Sequence, residues 1–224
     1  MKINHINSIN NTKLRKVTIL STGLVFALGV SACGSSSAPT NKAKTKAEAH
    51  TIDIVERNLN GVDTQISLSS TAKALLANQH GSMAAVAPAS VNYASTSSTS
   101  QIQSISLPIT SGNFVFDKTD HHLTGIIDHS GGFRITMGSK PAISITDMSI
   151  NLTTHQALAT INGTPNLPIF SLTGTADIAQ QGVHNIISGL SLNVSANSPA
   201  EIKSALGQTN NSIGTITITA TSAK

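Results

Sequence analysis

The chain has 224 residues, 14 basic and 10 acidic side chains, a net charge of +4, and 39% hydrophobic but only 3% aromatic residues. The basic excess is local: Lys2, Lys13, Arg15 and Lys16 all precede residue 33, and removing these four from 14 leaves 10 basic against 10 acidic residues. A neutral remainder lacks the concentrated positive patch that nucleic acid requires, and one cysteine excludes an internal disulfide.

Lys13, Arg15 and Lys16 are followed by a run from Val17 to Val30 with no charge, and then by small residues up to the single cysteine, Cys33. This charged, apolar, small-residue order describes a secretory signal over residues 1–32. The run is too short for a permanent span, which needs about 20 apolar residues. Val30-Ser31-Ala32-Cys33 resembles the lipobox of bacterial lipoproteins. That resemblance implies an acylated Cys33, which becomes the first residue of the mature protein and anchors it to the outer face of the cell membrane. Each buried methylene contributes roughly 0.8 kcal/mol, so two acyl chains hold where one holds marginally. A lipidated Cys33 leaves no thiol for redox or metal chemistry. Residues 33–50, with Gly34, Ser35, Ser36, Ser37, Pro39, Lys42, Lys44 and Lys46, read as a flexible tether.

Residues 51–224 read as one mainly β domain, an antiparallel sandwich or barrel with two short helices. Val62, Thr64, Ile66 and Leu68 share one face of a first strand, and a helix starts near Ser70 and ends by Gly81. Residues 82–100 are small and polar, and are expected to form a long surface loop. Ile105, Leu107 and Ile109 alternate again. Ile143 and Ile145 alternate up to Asp147, where Met148, Ile150 and Leu152 resume one residue out of phase, the mark of a bulge or bend. Turn signals stand at Ser111-Gly112-Asn113, Gly131-Gly132, Gly138-Ser139, Asn162-Gly163 and Gly182. Ser198-Pro199-Ala200-Glu201 reads as a capping box that opens a second helix, which Gly207 stops. In the last strand Ile216, Ile218 and Ala220 oppose Thr215, Thr217, Thr219 and Thr221. Each helix follows a strand, a faint internal echo at the two ends of the domain.

Leu107-Pro108-Ile109-Thr110-Ser111-Gly112, Leu123-Thr124-Gly125-Ile126-Ile127-Asp128-His129-Ser130-Gly131-Gly132, Ile143 to Met148 and Ala157 to Ile161 together resemble the HtaA-type domain of Gram-positive haem-uptake surface proteins. The likeness covers residues 60–220 by order of elements, with its motifs confined to 107–161. It implies a secreted or anchored β domain and haem as ligand, with iron held by a tyrosine near the domain start and a histidine supporting it. His129 matches the histidine motif. The segment matching the family's aromatic-rich opening, Asp63 to Leu68, holds neither tryptophan nor tyrosine, and Tyr93 is the chain's single tyrosine.

A second polar cluster is Asp117-Lys118-Thr119-Asp120-His121-His122. If residues 113–117 and 123–129 form a hairpin, His121, His122 and His129 are expected at one end of the sheet. Imidazoles suit transition metals, yet adjacent strand residues face opposite ways and the spacing matches no metal motif, so a polar hairpin tip accounts for the same letters. Asp128-His129-Ser130 holds the residue types of a hydrolase triad, but consecutive positions cannot adopt its geometry. No nucleophile elbow, phosphate loop or dinucleotide fingerprint is present in the sequence. The expectation is a lipid-anchored extracytoplasmic binding or interaction module without catalysis. His129, Tyr93, His121 and His122 are its candidate ligand-binding residues, and its partner is haem or an envelope component. The alternatives are a structural or adhesive envelope lipoprotein with no small-molecule ligand, and a carrier of an apolar ligand in an internal cavity.

Overall fold

The computed structural model describes residues 54–94, 102–117, 119–208 and 210–222. The signal, Cys33 and the tether lie outside them. In chain order the elements are β1 (Ile54–Leu68), α1 (Ser70–Asn78), β2 (Gly81–Val86), β3 (Ser90–Tyr93), β4 (Ile102–Asp117), β5 (His122–His129), β6 (Gly132–Met137) and β7 (Ile143–Asn151). They continue as β8 (Gln156–Ile161), β9 (Thr164–Thr173), β10 (Asp177–Gln181), β11 (His184–Val194), α2 (Ala200–Leu206) and β12 (Ser212–Ser222).

The strands alternate because β-branched and apolar residues at every second position suit a pleated surface with one side buried. Ile105, Leu107 and Ile109 of β4, and Ile216, Ile218 and Ala220 of β12, are all buried, as their alternation requires. Pairing runs antiparallel through β7, β5, β4, β1, β12, β11, β9 and β8, and β8 returns to β7, which closes an eight-stranded barrel. Of the two architectures the alternation allowed, the structure is the barrel. Phe114 of β4 and Phe170 of β9, with Ile66, Leu107 and Ile127, are fully buried and pack its interior. Thr215, Thr217 and Thr219 of β12 lie outward, opposite its buried apolar positions. Among the described residues no helix is long and apolar enough to cross a membrane.

The phase shift at Asp147 is a real bulge. Asp147 sits at φ 51°, and its N–H donates to the Gly131 carbonyl at 2.9 Å. Before it, Ile143–Thr146 pairs with Ile135–Gly132 of β6; after it, Ser149–Asn151 pairs with Asp128–Ile126 of β5. One long kinked β7 therefore carries two consecutive strands on one edge and β8 on the other. The kink draws β6 away from β4, and β2 and β3 fill the gap by pairing with β6 and β4 respectively.

That insertion corrects the expected loop over 82–100: residues 81–86 and 90–93 are strands, joined through a cis Ala87–Pro88 bond. Small residues masked them, since only Met83 of β2 is buried. Ser111-Gly112-Asn113 is no turn but lies within β4, where a Cβ on Gly112 would meet the Ile126 carbonyl oxygen at 2.7 Å. The glycine serves close strand approach there. Val62 leaves its expected face. A bulge between Asn60 and Val62 gives it φ 140° and 40% exposure.

Both helices sit at the same end, where β1 ends and β12 begins, and they pack on each other. The Ser69 Oγ caps α1, accepting from Ala72 N–H at 3.1 Å. The expected capping box of α2 is absent. Pro199 is its N-cap, and Ser198 Oγ donates instead to the Ile169 carbonyl at 2.6 Å, tying the helix entry to β9.

Gly132 tests the kink. A Cβ there would lie 1.9 Å from the Ile145 carbonyl oxygen, which is backbone and cannot swing aside. Gly132→Ala is expected to lower unfolding free energy by about 1–3 kcal/mol, at the upper end, in urea melts.

Candidate functional site

His129 ends β5 with its ring inside the barrel, 4% exposed. Its Nδ1 lies 2.8 Å from the Met148 carbonyl oxygen, and its Nε2 lies 2.7 Å from Thr64 Oγ1. A carbonyl only accepts, so Nδ1 carries the proton and Nε2 accepts from the threonine hydroxyl. Burial lowers the pKa of His129, and this outweighs the Met148 hydrogen bond and the Asp128 charge, which both raise it. The ring is neutral and saturated with partners. It joins β5 to β1 and β7.

A cavity of about 400 Å³ lies between the helices. Thr71 and Leu75 of α1 line it with Gln79 just past that helix, and Ser204 and Leu206 line it from α2. Gln208, Asn211 and Ser212 close it from the following segment. Lys203 also reaches the cleft, but its Nζ donates to the Ala196 carbonyl at 2.7 Å. The lining holds no histidine, cysteine, methionine, tyrosine or carboxylate.

A smaller pocket of about 170 Å³ opens at the other end of the barrel. Asp120, His121, His122 and His155 rim it, over Leu123, Leu152, Ala176 and Leu190. His121 and His155 take left-handed backbone at φ 56° and 54°, uncommon for residues with a Cβ. The His121 ring packs edge-on to Phe116, with centroids 6.1 Å apart. No three acidic, histidine or cysteine side chains among the described residues converge on a point that would hold a metal ion.

The structure therefore separates the four residues singled out in the sequence. The β4–β5 hairpin forms, but His121 and His122 stand at its tip while His129 lies at the far end of β5, about 23 Å along the strand from His122. That corrects the expectation that the three share one end. Tyr93 is on β3 rather than in a loop, 47% exposed, with its hydroxyl donating to the Met83 carbonyl at 3.2 Å. Sequence reading missed His155, which has no polar motif around it and meets His121 only through the fold. It also missed Thr64 as a polar partner, placing it only on a shared face with Val62, Ile66 and Leu68.

The crystal structure of the C-terminal domain of HtaA from Corynebacterium glutamicum matches this chain with a TM-score of 0.53 and 13% identity, over 75% of this chain and 99% of that domain. This chain has the HtaA-domain fold. At that identity the likeness is one of architecture. No protein-family model and no curated protein matches the sequence. The HtaA resemblance implied iron held by tyrosine with histidine in support, and the side chains around His129 do not fit that role. Both ring nitrogens are engaged, Thr64 supplies the oxygen on one of them, and Tyr93 is committed elsewhere.

Thr64→Val would leave a buried ring nitrogen without a partner and is expected to cost about 1–3 kcal/mol of stability by denaturant unfolding. Tyr93→Phe, at a half-exposed site, should cost under about 1.5 kcal/mol in the same measurement. The depressed pKa of His129 also sets a pH dependence. The unfolded chain takes up this proton near pH 6.5 and the folded chain only at lower pH. Stability is therefore full above about 6.5 and falls with acidification, by at most about 1.4 kcal/mol per pH unit. His129→Gln should flatten that slope in melts between pH 7 and 5.

Proposed function

We propose that the chain is a lipid-anchored, extracytoplasmic binding module, not an enzyme, which takes its ligand in the cleft between α1 and α2. The observation that carries this reading is the cleft itself. At about 400 Å³ it falls within the size range of small-molecule sites, and it lies at the helix-covered end of a barrel whose interior is packed. Its lining offers hydroxyls and amides, which bind and orient. An HtaA-type fold is consistent with an address outside the cytoplasm, and the lipobox at Cys33 supplies the means of attachment. Metabolic labelling with an alkyne fatty acid is expected to mark the wild-type chain and not Cys33→Ala. Labelling of both would overturn the anchor.

Haem is the ligand that the family resemblance implies, and one observation supports a second reading in which it binds at the opposite mouth. His121, His122 and His155 make no side-chain hydrogen bond among the described residues and stand over leucines, which suits an iron-ligating imidazole beside an apolar ring. Hemin titration separates the readings. A Soret shift that survives Tyr93→Phe and is lost in His121→Ala with His122→Ala would support haem at the mouth. No shift in the parent would remove haem and leave the cleft.

A further inference from the structure

We infer that the free edge of β2, where it faces β3, takes up an extended, uncharged polypeptide segment by strand addition, with Tyr93 giving way to it. This second site is independent of the helix cleft. β2 pairs with β6 and β3 with β4, and among the described residues neither has a ladder on its other side. The two strands follow one another through residues 87–89 and part from that turn without pairing.

What spans the seam between them is a side chain. The Tyr93 hydroxyl donates to the Met83 carbonyl at 3.2 Å, so that carbonyl points away from β6. Alternate residues of a strand turn N–H and C=O to the same side, so Gly81 and Ala85 face the seam with Met83, while Ser82 and Ala84 bond β6. Among the described residues, the Met83 carbonyl alone of these seam-facing groups has a partner. Exposed edges are ordinarily blunted by charge, proline or a bulge. β2 has none of these: Gly81–Val86 holds no charged residue and no proline, and its register with β6 is unbroken. β10, which also pairs on one side only, carries Asp177.

The seam sets the class of partner. Main-chain donors and acceptors at strand spacing are met by another extended backbone. Met83 is buried and Val91 packs against the core, whereas Ser82, Ala84 and Asn92 are exposed. The incoming segment therefore alternates, apolar toward Met83 and Val91 and polar outward. It is uncharged because β2 and β3 offer no charge to pair with. Its N–H replaces the Tyr93 hydroxyl on the Met83 carbonyl, and the tyrosine, already 47% exposed, turns to solvent. β3 stands across the seam, so a single segment enters where a second folded copy meets β3 first.

Tyr93 is the single tyrosine and the chain has no tryptophan, so tyrosine emission reports on this seam alone. The test titrates the full-length chain in detergent with a blocked hexapeptide of alternating valine and threonine, and follows amide hydrogen exchange by NMR. Expected are a saturable change in emission and about tenfold or more slower exchange at Gly81, Met83 and Ala85, with Ser82 and Ala84 slow from the start. Tyr93→Phe removes the bond that is displaced and should tighten binding about two- to tenfold in the exchange measurement. The same peptide N-methylated along one edge should bind about tenfold or more weakly. Equal binding of the two peptides would mean side-chain docking and overturn strand addition. Protection that appears without peptide and rises with protein concentration would assign the edge to a second copy and overturn the partner. Neither emission change nor protection would overturn the inference outright.

Discussion

One strand with three partners holds this architecture in place. β7 pairs with β6 before Asp147, with β5 after it, and with β8 along its other edge. The extra residue at Asp147 lets a single strand serve both β5 and β6, because it turns the ladder while keeping Ile143, Ile145, Met148, Ile150 and Leu152 all inward. Without that bulge the second half of β7 would present its polar residues to the core. The same kink parts β6 from β4 and admits β2 and β3. It also brings the Met148 carbonyl to His129.

What could be read from the residues follows from how local each feature is. Alternation needs only near neighbours, so β4, β7 and β12 were legible, and so was the shift at Asp147. β2 and β3 were not, because they bury almost nothing and are held by backbone pairing that leaves no apolar rhythm. Ser111-Gly112-Asn113 misled because a glycine that admits a neighbouring strand is spelled like a glycine that turns the chain. Ser198 misled in a similar way: its hydroxyl found a carbonyl on β9 before it could cap α2. The saturation of His129 depends on Thr64, 65 residues earlier, and no pattern around either residue announces it. The cleft draws on two helices more than 120 positions apart, so only the closed barrel creates it.

His129 shows how a fold and a chemistry can part. The residue stands in the motif that suggested HtaA, and the barrel around it is of that type, yet its ring is held by a hydroxyl and a carbonyl. A buried neutral imidazole with both nitrogens occupied stabilises the join between three strands and offers nothing to an incoming group. Resemblance in the motif thus carries the architecture, and binding must be argued from the two ends of the barrel, where the pockets lie.

The ring of strands has a seam that sets when it can form. β12 lies between β1 and β11, with Leu68 opposite Gly214 and Leu59 opposite Ser222. The opening strand of the domain therefore lacks one neighbour until the eleven residues of β12 are made. A chain on which β12 has yet to be made keeps that edge bare, and cannot shut the wall from the amino-terminal side. Closure of the wall therefore waits on a strand that comes last among the described elements.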